Sequence, residues 1–312
     1  MSRIHEALKK AAQERTEQLA GRAAQDLVEI VGESPEPLPL RHDQILEETS
    51  GPVIPVPDEN PAGMKEFDRL TAKCRKVRWK IEERNSAFSN EAVSRLGAER
   101  FRTLRSRLYQ IAAGRPLKSV LITSSAPGEG KTFVATNLAQ SIVRQANRRV
   151  LLIDADLRAS RLHMILGVEN EPGLSNYLQG EVDETEVIQR EEGGNLCLIT
   201  GGRQVSNPSE LLHTDRMRGL LKKVAPAFDW IILDSPPALA VHDASVLGDM
   251  CDGVLFVVRA GLTDYEVAEK ACSEFPENKM VGVVLNRAEK GTSYGEYYYG
   301  YSPEKAPGEA TS

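Results

Sequence analysis

Residues 119–132 read SVLITSSAPGEGKT, an apolar strand that leads directly into a glycine-rich loop. The next segment, FVATNLAQSIVRQ at 133–145, has the apolar spacing of a helix. A strand, such a loop and a helix in this order are typical of a phosphate-binding P-loop. Glycines let the backbone wrap closely around a phosphate, so that several N–H groups and the positive end of the helix point at it. The loop departs from the usual pattern because Ser125 takes the place of its first glycine.

Two side chains of this loop carry its expected chemistry. Lys131 is placed to reach the β and γ phosphates of a nucleotide, and the Thr132 hydroxyl to ligate magnesium. A glycine-rich turn with a surface lysine is the alternative for residues 125–132 taken alone. The strand before the loop and the helix after it favour the phosphate site.

Apolar, β-rich runs recur along the chain and are separated by segments of helix length. They are SVLITS (119–124), RVLLID (149–154), LCLIT (196–200), DWIILD (229–234), GVLFVV (253–258) and MVGVVLN (280–286). Continuous apolar strands that alternate with helices predict a parallel sheet covered on both faces. We therefore expect one doubly wound, mostly parallel α/β domain of the P-loop NTPase type, with a deviant Walker A loop, over residues 91–287.

Two carboxylate sites end predicted strands, in LLIDADLR (151–158) and IILDSPP (231–237). Open parallel sheets bind ligands at the carboxyl ends of their strands, where Asp154 and Asp234 would supply hard oxygen ligands for a metal. Asp154 and Asp156 share a side of an extended strand end, so one can hold magnesium while the other faces an incoming hydroxyl. Either site alone suits a capping aspartate, but together with the P-loop they favour phosphoryl transfer.

The composition is that of an ordinary soluble protein. The 312 residues are 41% hydrophobic and 27% charged, with a net charge of -6. No apolar run approaches the roughly 20 residues needed to cross a bilayer, and the charged first residues lack the apolar core of a secretory signal. The four cysteines show neither metal-ligand nor disulfide spacing. These features predict a cytoplasmic protein.

The chain outside the α/β domain divides into four predicted segments. They are an amphipathic leader (1–32), a proline-rich linker (33–64), a basic helical segment (65–90) and a flexible tail (288–312).

Residues 65–107 hold 13 basic and 6 acidic side chains. This basic stretch suits a solvated helical face, and next an anionic membrane surface or an acidic partner. The acidity of the whole chain argues against nucleic acid.

The tail is rich in tyrosine. Five of the eight tyrosines of the chain fall in SYGEYYYGY at 293–301, namely Tyr294, Tyr297, Tyr298, Tyr299 and Tyr301. A sticky, low-complexity terminus is one interpretation of such a segment. The absence of a further strand pattern favours a mobile tail that can enter an active site. A dozen extended residues reach about 40 Å, enough to arrive at a neighbouring subunit.

Taken together, these motifs resemble the bacterial tyrosine kinases, which autophosphorylate and govern capsule and exopolysaccharide synthesis. The resemblance covers residues 91–301. It includes SAPGEGKT, LLIDADLR, PGLSNYL (172–178), NPSELL (207–212), FDWIILDSPP with the later HDAS, and the strand end Val-Leu-Asn-Arg at 284–287.

The resemblance implies a role for each matching residue. Lys131 and Thr132 bind ATP and magnesium, Asp154 and Asp234 belong to the metal shell, and Asp156 meets the tyrosine hydroxyl. The positions that it places around the nucleotide are Pro127, Gly128, Glu129, Gly130, Lys131, Thr132, Phe133, Asn286 and Arg287, with Asn286 against adenine. The five tail tyrosines become the substrates of autophosphorylation in trans.

The resemblance also implies partners. Glu99, Arg102 and Arg105 match a contact between neighbouring subunits of a ring, although residues spaced by three on a helix also form ion pairs within that helix. A separate transmembrane polysaccharide co-polymerase is expected to activate the protein at the inner face of the plasma membrane. A cognate tyrosine phosphatase is expected to reverse the reaction.

Two other functions fit the same P-loop. One is a nucleotide-switched positioning ATPase of the plasmid-partition or septum-site type, but those proteins carry an additional lysine where this chain has Ala126. The other is a regulator that binds ATP without transferring phosphate, against which the intact Asp156 argues. An iron-protein reductase would need junction cysteines in a motif that this chain lacks.

Overall fold

The computed structural model describes residues 61–88 and 91–288, and for residues 91–95 it describes the backbone alone. The predicted leader, the linker up to residue 60 and the tail from residue 289, with its five tyrosines, lie outside the described residues.

Within the described residues, eight strands form one sheet with the order β1-β4-β5-β3-β6-β2-β7-β8. The strands are β1 Arg75–Val77, β2 Ser119–Ser124, β3 Val150–Asp154, β4 Ile188–Glu191, β5 Leu196–Ile199, β6 Trp230–Asp234, β7 Gly253–Arg259 and β8 Met280–Asn286. All neighbours pair in parallel except β4 and β5. The mostly parallel α/β fold and the six predicted strands are thereby confirmed, with ends that agree within one residue.

Ten helices accompany the sheet in the described part of the chain. They are α1 Pro61–Thr71, α2 Glu91–Gly114, α3 Lys131–Val143, α4 Leu162–Leu166, α5 Leu174–Leu178, α6 Glu184–Val187, α7 Pro208–Leu212, α8 Asp215–Val224, α9 Asp243–Met250 and α10 Tyr265–Cys272. Short 3-10 turns cover Glu83–Asn85 and Glu277–Lys279. None of the helices in the described residues is long and apolar enough to cross a bilayer.

The hydrophobic core has two layers, one on each face of the sheet. Along β2, Leu121 packs into one layer while Val120 and Ile122 pack into the other. This alternation follows from the two-residue repeat of side chains along a strand. Both layers are buried because helices cover both faces, which is why the strands are apolar throughout.

The segment before the predicted domain differs from its expected helical form. The prediction of a helix over 65–90 is wrong beyond Thr71, because β1 follows and pairs in parallel with β4. The two strands β1 and β4 extend the sheet at one edge, and β4 was also missed by the sequence pattern. The basic RKV of β1 resembles a helix or a loop locally, and hydrogen bonding to the sheet edge overrides that preference.

Residues 61–88 form a strap that packs on both faces of the sheet. At one end Phe67 packs edge-on against Phe228 with ring centroids 5.5 Å apart. At the other end the Ala87 N–H donates to Asn137 Oδ1 of α3 at 2.6 Å, and Asn137 Nδ2 donates to the Asn85 carbonyl at 3.1 Å. The strap therefore contacts the helix that begins at the glycine-rich loop.

Candidate active site

The glycine-rich loop lies between β2 and α3, at the carboxyl edge of the sheet. Gly128 and Gly130 adopt φ values of 83° and 99°, a left-handed region that favours glycine. A Cβ on Gly130 would also lie 1.9 Å from Nδ2 of Asn286. A larger residue there would therefore strain the backbone and displace the Asn286 side chain. The loop therefore has the tight backbone path that a phosphate cradle needs.

The Glu129 side chain holds the loop together from inside. It is 2% exposed, and its carboxylate accepts the Ala126 N–H at 2.7 Å. The Ser125 hydroxyl lies 2.9 Å from both carboxylate oxygens, and the Thr263 hydroxyl donates to one of them. Ser125 thus gains a partner that the usual first glycine could not provide. Because the Glu129 carboxylate is occupied by the protein, its backbone is the part of the residue left to face a nucleotide.

Asn286, predicted against adenine, ends β8 next to the loop, and Arg287, also predicted at the nucleotide, follows it. Asn286 Nδ2 donates to the Glu129 carbonyl at 2.8 Å, and Asn286 Oδ1 accepts the Arg287 N–H at 3.0 Å. Arg287 itself has a positive φ of 58°. Asn286 thus supports the phosphate loop in this structure, and its adenine contact stays a prediction.

Lys131 and Thr132 begin α3, so the positive helix end and the lysine converge on the same point. Lys131 is 8% exposed, and lysines are rarely buried unless they are paired with an opposite charge. Burial raises the pKa of Asp234 overall, and the positive charge of Lys131 and a hydrogen bond from the Thr132 side chain oppose that rise. Residues of the loop and of β6 therefore belong to one electrostatic unit.

Asp154 and Asp234 lie side by side because β3 and β6 are neighbours with these two residues in register. Burial raises the pKa of Asp234, and the charge of Asp154 raises it further. Burial likewise raises the pKa of Asp154, against hydrogen bonds from Ser160 and Leu162 that lower it. Two buried carboxylates at this spacing need a cation to remain charged together.

A magnesium ion fits part of the predicted metal shell. Asp234 Oδ1 is buried and accepts no hydrogen bond from the described residues, which is the condition expected of an oxygen that binds a cation. Asp154 Oδ2, in contrast, accepts bonds from Ser160 Oγ at 2.8 Å and from Arg161 and Leu162 N–H at 3.0 Å. Thr132 and Asp234 are thus better placed to hold the metal than Asp154, which organises the following turn.

Asp156 lies just beyond β3 and is 9% exposed. Its N–H donates to Asp154 Oδ1 at 3.3 Å, and its Oδ1 accepts the Ala159 N–H at 3.0 Å. The second carboxylate oxygen has no described bond, so Asp156 keeps an acceptor for an incoming hydroxyl. The position of Asp156 suits the predicted contact with the tyrosine hydroxyl, which stays a prediction.

Glu99, Arg102 and Arg105 lie on α2, which precedes β2 and the glycine-rich loop in the chain. Arg102 pairs with Glu99 along the helix, and Arg105 donates to the Ser141 carbonyl of α3. Within one chain these residues make local contacts, and their role between subunits stays a prediction.

One set of polar residues in this region was missed by sequence reasoning. Arg158, Ser209 and Asp243 belong to three separate motifs and had no assigned chemistry themselves, yet the fold brings their side chains into contact. The motifs themselves were the available signal, but no local spacing links residues so far apart along the chain.

The fold and the site define a class of protein. A glycine-rich loop between a parallel strand and a helix, a buried lysine and aspartates on two adjacent strand ends form an α/β P-loop nucleotide-binding protein. A family model described as an AAA domain matches residues 117–265.

Relatives narrow this class. The tyrosine-protein kinase YwqD of Bacillus subtilis is 38% identical over 229 residues, which are 72% of this chain and 95% of YwqD. The tyrosine-protein kinase Etk of Escherichia coli is 40% identical over 209 residues, 66% of this chain and 28% of Etk. Among solved structures, the Etk kinase domain matches with a TM-score of 0.60 at 38% identity, covering 69% of this chain and 84% of that one. The chimerical protein CapA2B2 matches with a TM-score of 0.61 at 27% identity, covering 72% and 98%.

The chain therefore belongs to the family of bacterial tyrosine-protein kinases, and its activity is that of a protein-tyrosine kinase.

Proposed function

We propose that this protein is an ATP-dependent tyrosine autokinase that phosphorylates the tail tyrosines Tyr294, Tyr297, Tyr298, Tyr299 and Tyr301 in trans. The observation that supports it best is the unit formed by Lys131, Thr132 and the unpaired Asp234 oxygen at the phosphate loop. The same sheet edge carries Asp156, whose carboxylate retains a free acceptor.

Each group has a distinct task in this proposal. The loop backbone and Lys131 hold the phosphates of ATP. The buried Glu129 side chain fills the inside of the loop, so water does not reach the loop from that side. Magnesium, when held by Thr132 and Asp234, would neutralise charge on the phosphate oxygens. Asp156 accepts the tyrosine hydroxyl proton as that oxygen bonds to the γ phosphorus and the bond from the phosphorus to the β-phosphate oxygen breaks. The products are ADP and phosphotyrosine.

The wider role follows from the same family resemblance. We propose that the kinase regulates exopolysaccharide or capsule synthesis and export together with a separate transmembrane co-polymerase. That partner would recruit it from the cytoplasm to the inner face of the plasma membrane. A tyrosine phosphatase would return the tail to its unmodified form, and the ring contact would involve Glu99, Arg102 and Arg105.

A phosphopeptide map of the purified protein after incubation with magnesium and ATP tests the activity. We expect phosphotyrosine in the tail, which Lys131→Met abolishes because the phosphate ligand is lost. Lys222→Met is the matched control, since this exposed lysine lies on α8, away from the site. A form in which all five tail tyrosines are phenylalanine should also remain unlabelled in the tail.

Mixing two of these variants tests transfer between molecules. The Lys131→Met chain supplies tyrosines without activity, and the five-phenylalanine chain supplies activity without tail tyrosines. Transfer in trans predicts phosphotyrosine on the Lys131→Met chain. ATP hydrolysis without any phosphotyrosine, alone and with a candidate activator, would contradict the kinase and favour a switch ATPase.

A further inference from the structure

Three residues without a role in the chemistry above meet at the carboxyl edge of the sheet. Arg158 follows β3, Ser209 lies in α7, and Asp243 begins α9. Arg158 Nε donates to Asp243 Oδ2 at 2.9 Å, and Arg158 Nη2 donates to Ser209 Oγ at 2.8 Å. The Ser209 hydroxyl in turn donates to Asp243 Oδ1. We call these three residues the arginine cluster.

The arginine cluster is closed on one side and open on the other. The Asp243 side chain is 1% exposed, whereas the Arg158 side chain is 40% exposed. A buried carboxylate that accepts a guanidinium N–H holds the arginine in one orientation, because releasing the arginine would leave the carboxylate without a charged partner. The Arg158 head group is therefore fixed while part of it faces solvent.

The open side of the guanidinium retains binding capacity. Nη1 of Arg158 makes no hydrogen bond within the described residues, although a guanidinium has five N–H donors. An oriented, permanently charged fork of this kind matches the oxygens of a carboxylate or a phosphate. The arrangement thus resembles an anion-binding residue more than a simple surface ion pair, which would contribute little to stability.

The arginine cluster also lies beside the proposed acceptor site. Asp156 and Arg158 belong to one turn, which is closed by the bond from the Ala159 N–H to Asp156 Oδ1. Asp243 follows β6, the strand that carries Asp234, and Arg158 follows β3, which pairs with β6. A peptide that brings a tyrosine to Asp156 would thus place its neighbouring residues near Arg158.

We propose that Arg158, positioned by Asp243 and Ser209, binds an anionic group adjacent to the acceptor tyrosine of the substrate peptide. This inference rests on the proposed kinase function and adds its substrate preference. The tail supplies such groups, since Glu296 directly precedes Tyr297 and three tyrosines are consecutive at 297–299. A phosphate on one of these tyrosines would offer the same chemistry to Arg158 as the Glu296 carboxylate. Earlier phosphorylation would then promote the next transfer.

Peptide kinetics test this preference. The enzyme is the full chain with its five tail tyrosines changed to phenylalanine, so that the added peptide supplies the tail tyrosine and the enzyme's own tail supplies none. The peptide spans residues 291–305 with Tyr297 as its sole unmodified tyrosine, the other tail tyrosines being phenylalanine. It is used in three forms: with Glu296, with Glu296→Gln, and with Glu296→Gln plus phosphotyrosine at position 298. KM and kcat are measured for each, together with the affinity for ATP.

We expect Glu296→Gln to raise the peptide KM about tenfold, which is the effect of losing one charge-assisted hydrogen-bonded pair. The phosphotyrosine should return KM to the value of the Glu296 peptide. In Arg158→Gln the three peptides should have equal, high KM values while kcat and ATP affinity change less than about twofold. Arg158→Lys should recover part of the discrimination. Arg75→Gln is the matched control, because Arg75 is a similarly half-buried arginine at the far edge strand.

Loss of stability is separated from loss of binding by a double variant. Arg158→Gln combined with Asp243→Asn removes the buried charge that a single change would leave unpaired, and thermal unfolding checks both proteins. Discrimination among the peptides that survives in a folded Arg158→Gln enzyme would overturn the inference. So would a fall in kcat with the KM values unchanged. A separate outcome is that the enzyme with Arg158 intact phosphorylates none of the peptides and the parent chain does not phosphorylate its own tail. In that case the kinase proposal itself fails.

Discussion

At the scale of a single residue, Asp234 has an oxygen suited to bind a cation but lies in surroundings that disfavour its negative charge. It is 1% exposed with one oxygen unpaired, yet it lies beside the buried Asp154. Burial and the neighbouring charge together raise its pKa, so the ionised form destabilises the folded protein until a cation arrives. Such a residue contributes to ligand binding at the expense of the free protein.

The pH dependence of stability follows from the direction of this shift. Because the folded pKa of Asp234 lies above the unfolded value of about 4, the folded state holds the proton over a wider range. The free energy of unfolding should therefore fall as the pH rises above about 4 toward the raised folded pKa. In ligand-free Asp234→Asn we expect this decline to weaken, with a gain of about 1–3 kcal/mol at pH 8, measured by urea unfolding.

Asp252 provides a control of opposite sign. Burial raises its pKa, but bonds from the Ser119 and Lys118 N–H groups and the Ser119 hydroxyl outweigh burial, and the net shift is downward. Its contribution to stability is present above the unfolded pKa and lost as the pH falls through the folded one, so Asp252→Asn should destabilise at pH 8. An Asp234→Asn protein less stable than the parent at pH 8 without ligands would contradict the account of Asp234.

At the scale of elements, α3 serves both the phosphate loop and the strap of residues 61–88. Asn137 is fully buried in the middle of α3. Its amide bonds the Ala87 N–H and the Asn85 carbonyl of the strap, as well as the Phe133 carbonyl one turn earlier in α3. Phe133 also packs against Phe101 of α2, with ring centroids 5.9 Å apart. The strap is thereby attached to the first turns of the phosphate-binding helix.

Asn137→Ala should show what this attachment contributes. The change removes three hydrogen bonds and leaves buried strap groups without partners, so we expect the free energy of unfolding to fall by about 2–4 kcal/mol. Gln140→Ala is the matched control one turn later, since within the described residues the Gln140 side chain accepts a single 3.3 Å hydrogen bond, from the Ser86 hydroxyl. It should cost about 1 kcal/mol or less. Equal losses in the two variants would show that the strap is not held through Asn137.

At the scale of the whole molecule, we expect charge to link the proposed phosphorylation to the proposed assembly. The chain carries a net charge of -6, and five phosphotyrosines would bring it to roughly -14 to -16 at neutral pH. Like charges on neighbouring subunits repel, so a fully phosphorylated tail favours dissociation of the proposed ring.

Gel filtration before and after incubation with magnesium and ATP measures this effect. We expect a larger species that decreases in size on phosphorylation, and a smaller decrease at high salt because salt screens the repulsion. The five-phenylalanine form should elute at the same volume before and after ATP. An elution volume of the parent protein that does not change on phosphorylation would contradict dissociation.

Local patterns in the sequence sufficed for much of the fold and for the main site residues. The six strands of the parallel core could be predicted because each is a continuous apolar run bounded by helical spacing. The glycine-rich loop and the strand-end aspartates could be located because their chemistry requires fixed residue types at short spacing. The edge strand β1 and its neighbour β4 could not be predicted, since both are short and partly polar. They become strands because β1 pairs with β4 and β4 pairs with β5.

The sequence by itself therefore determined six of the strands, the position of the glycine-rich loop and the resemblance to the family. Only the tertiary structure decided which contacts those residues make. It turned Glu129 inward against Ser125 and Thr263, and it left one oxygen of Asp234 for a cation. It also joined Arg158 to Asp243, 85 residues further along the chain. The physical reason is that strands and loops follow from local spacing, whereas hydrogen bonds between distant segments depend on how the sheet brings those segments together.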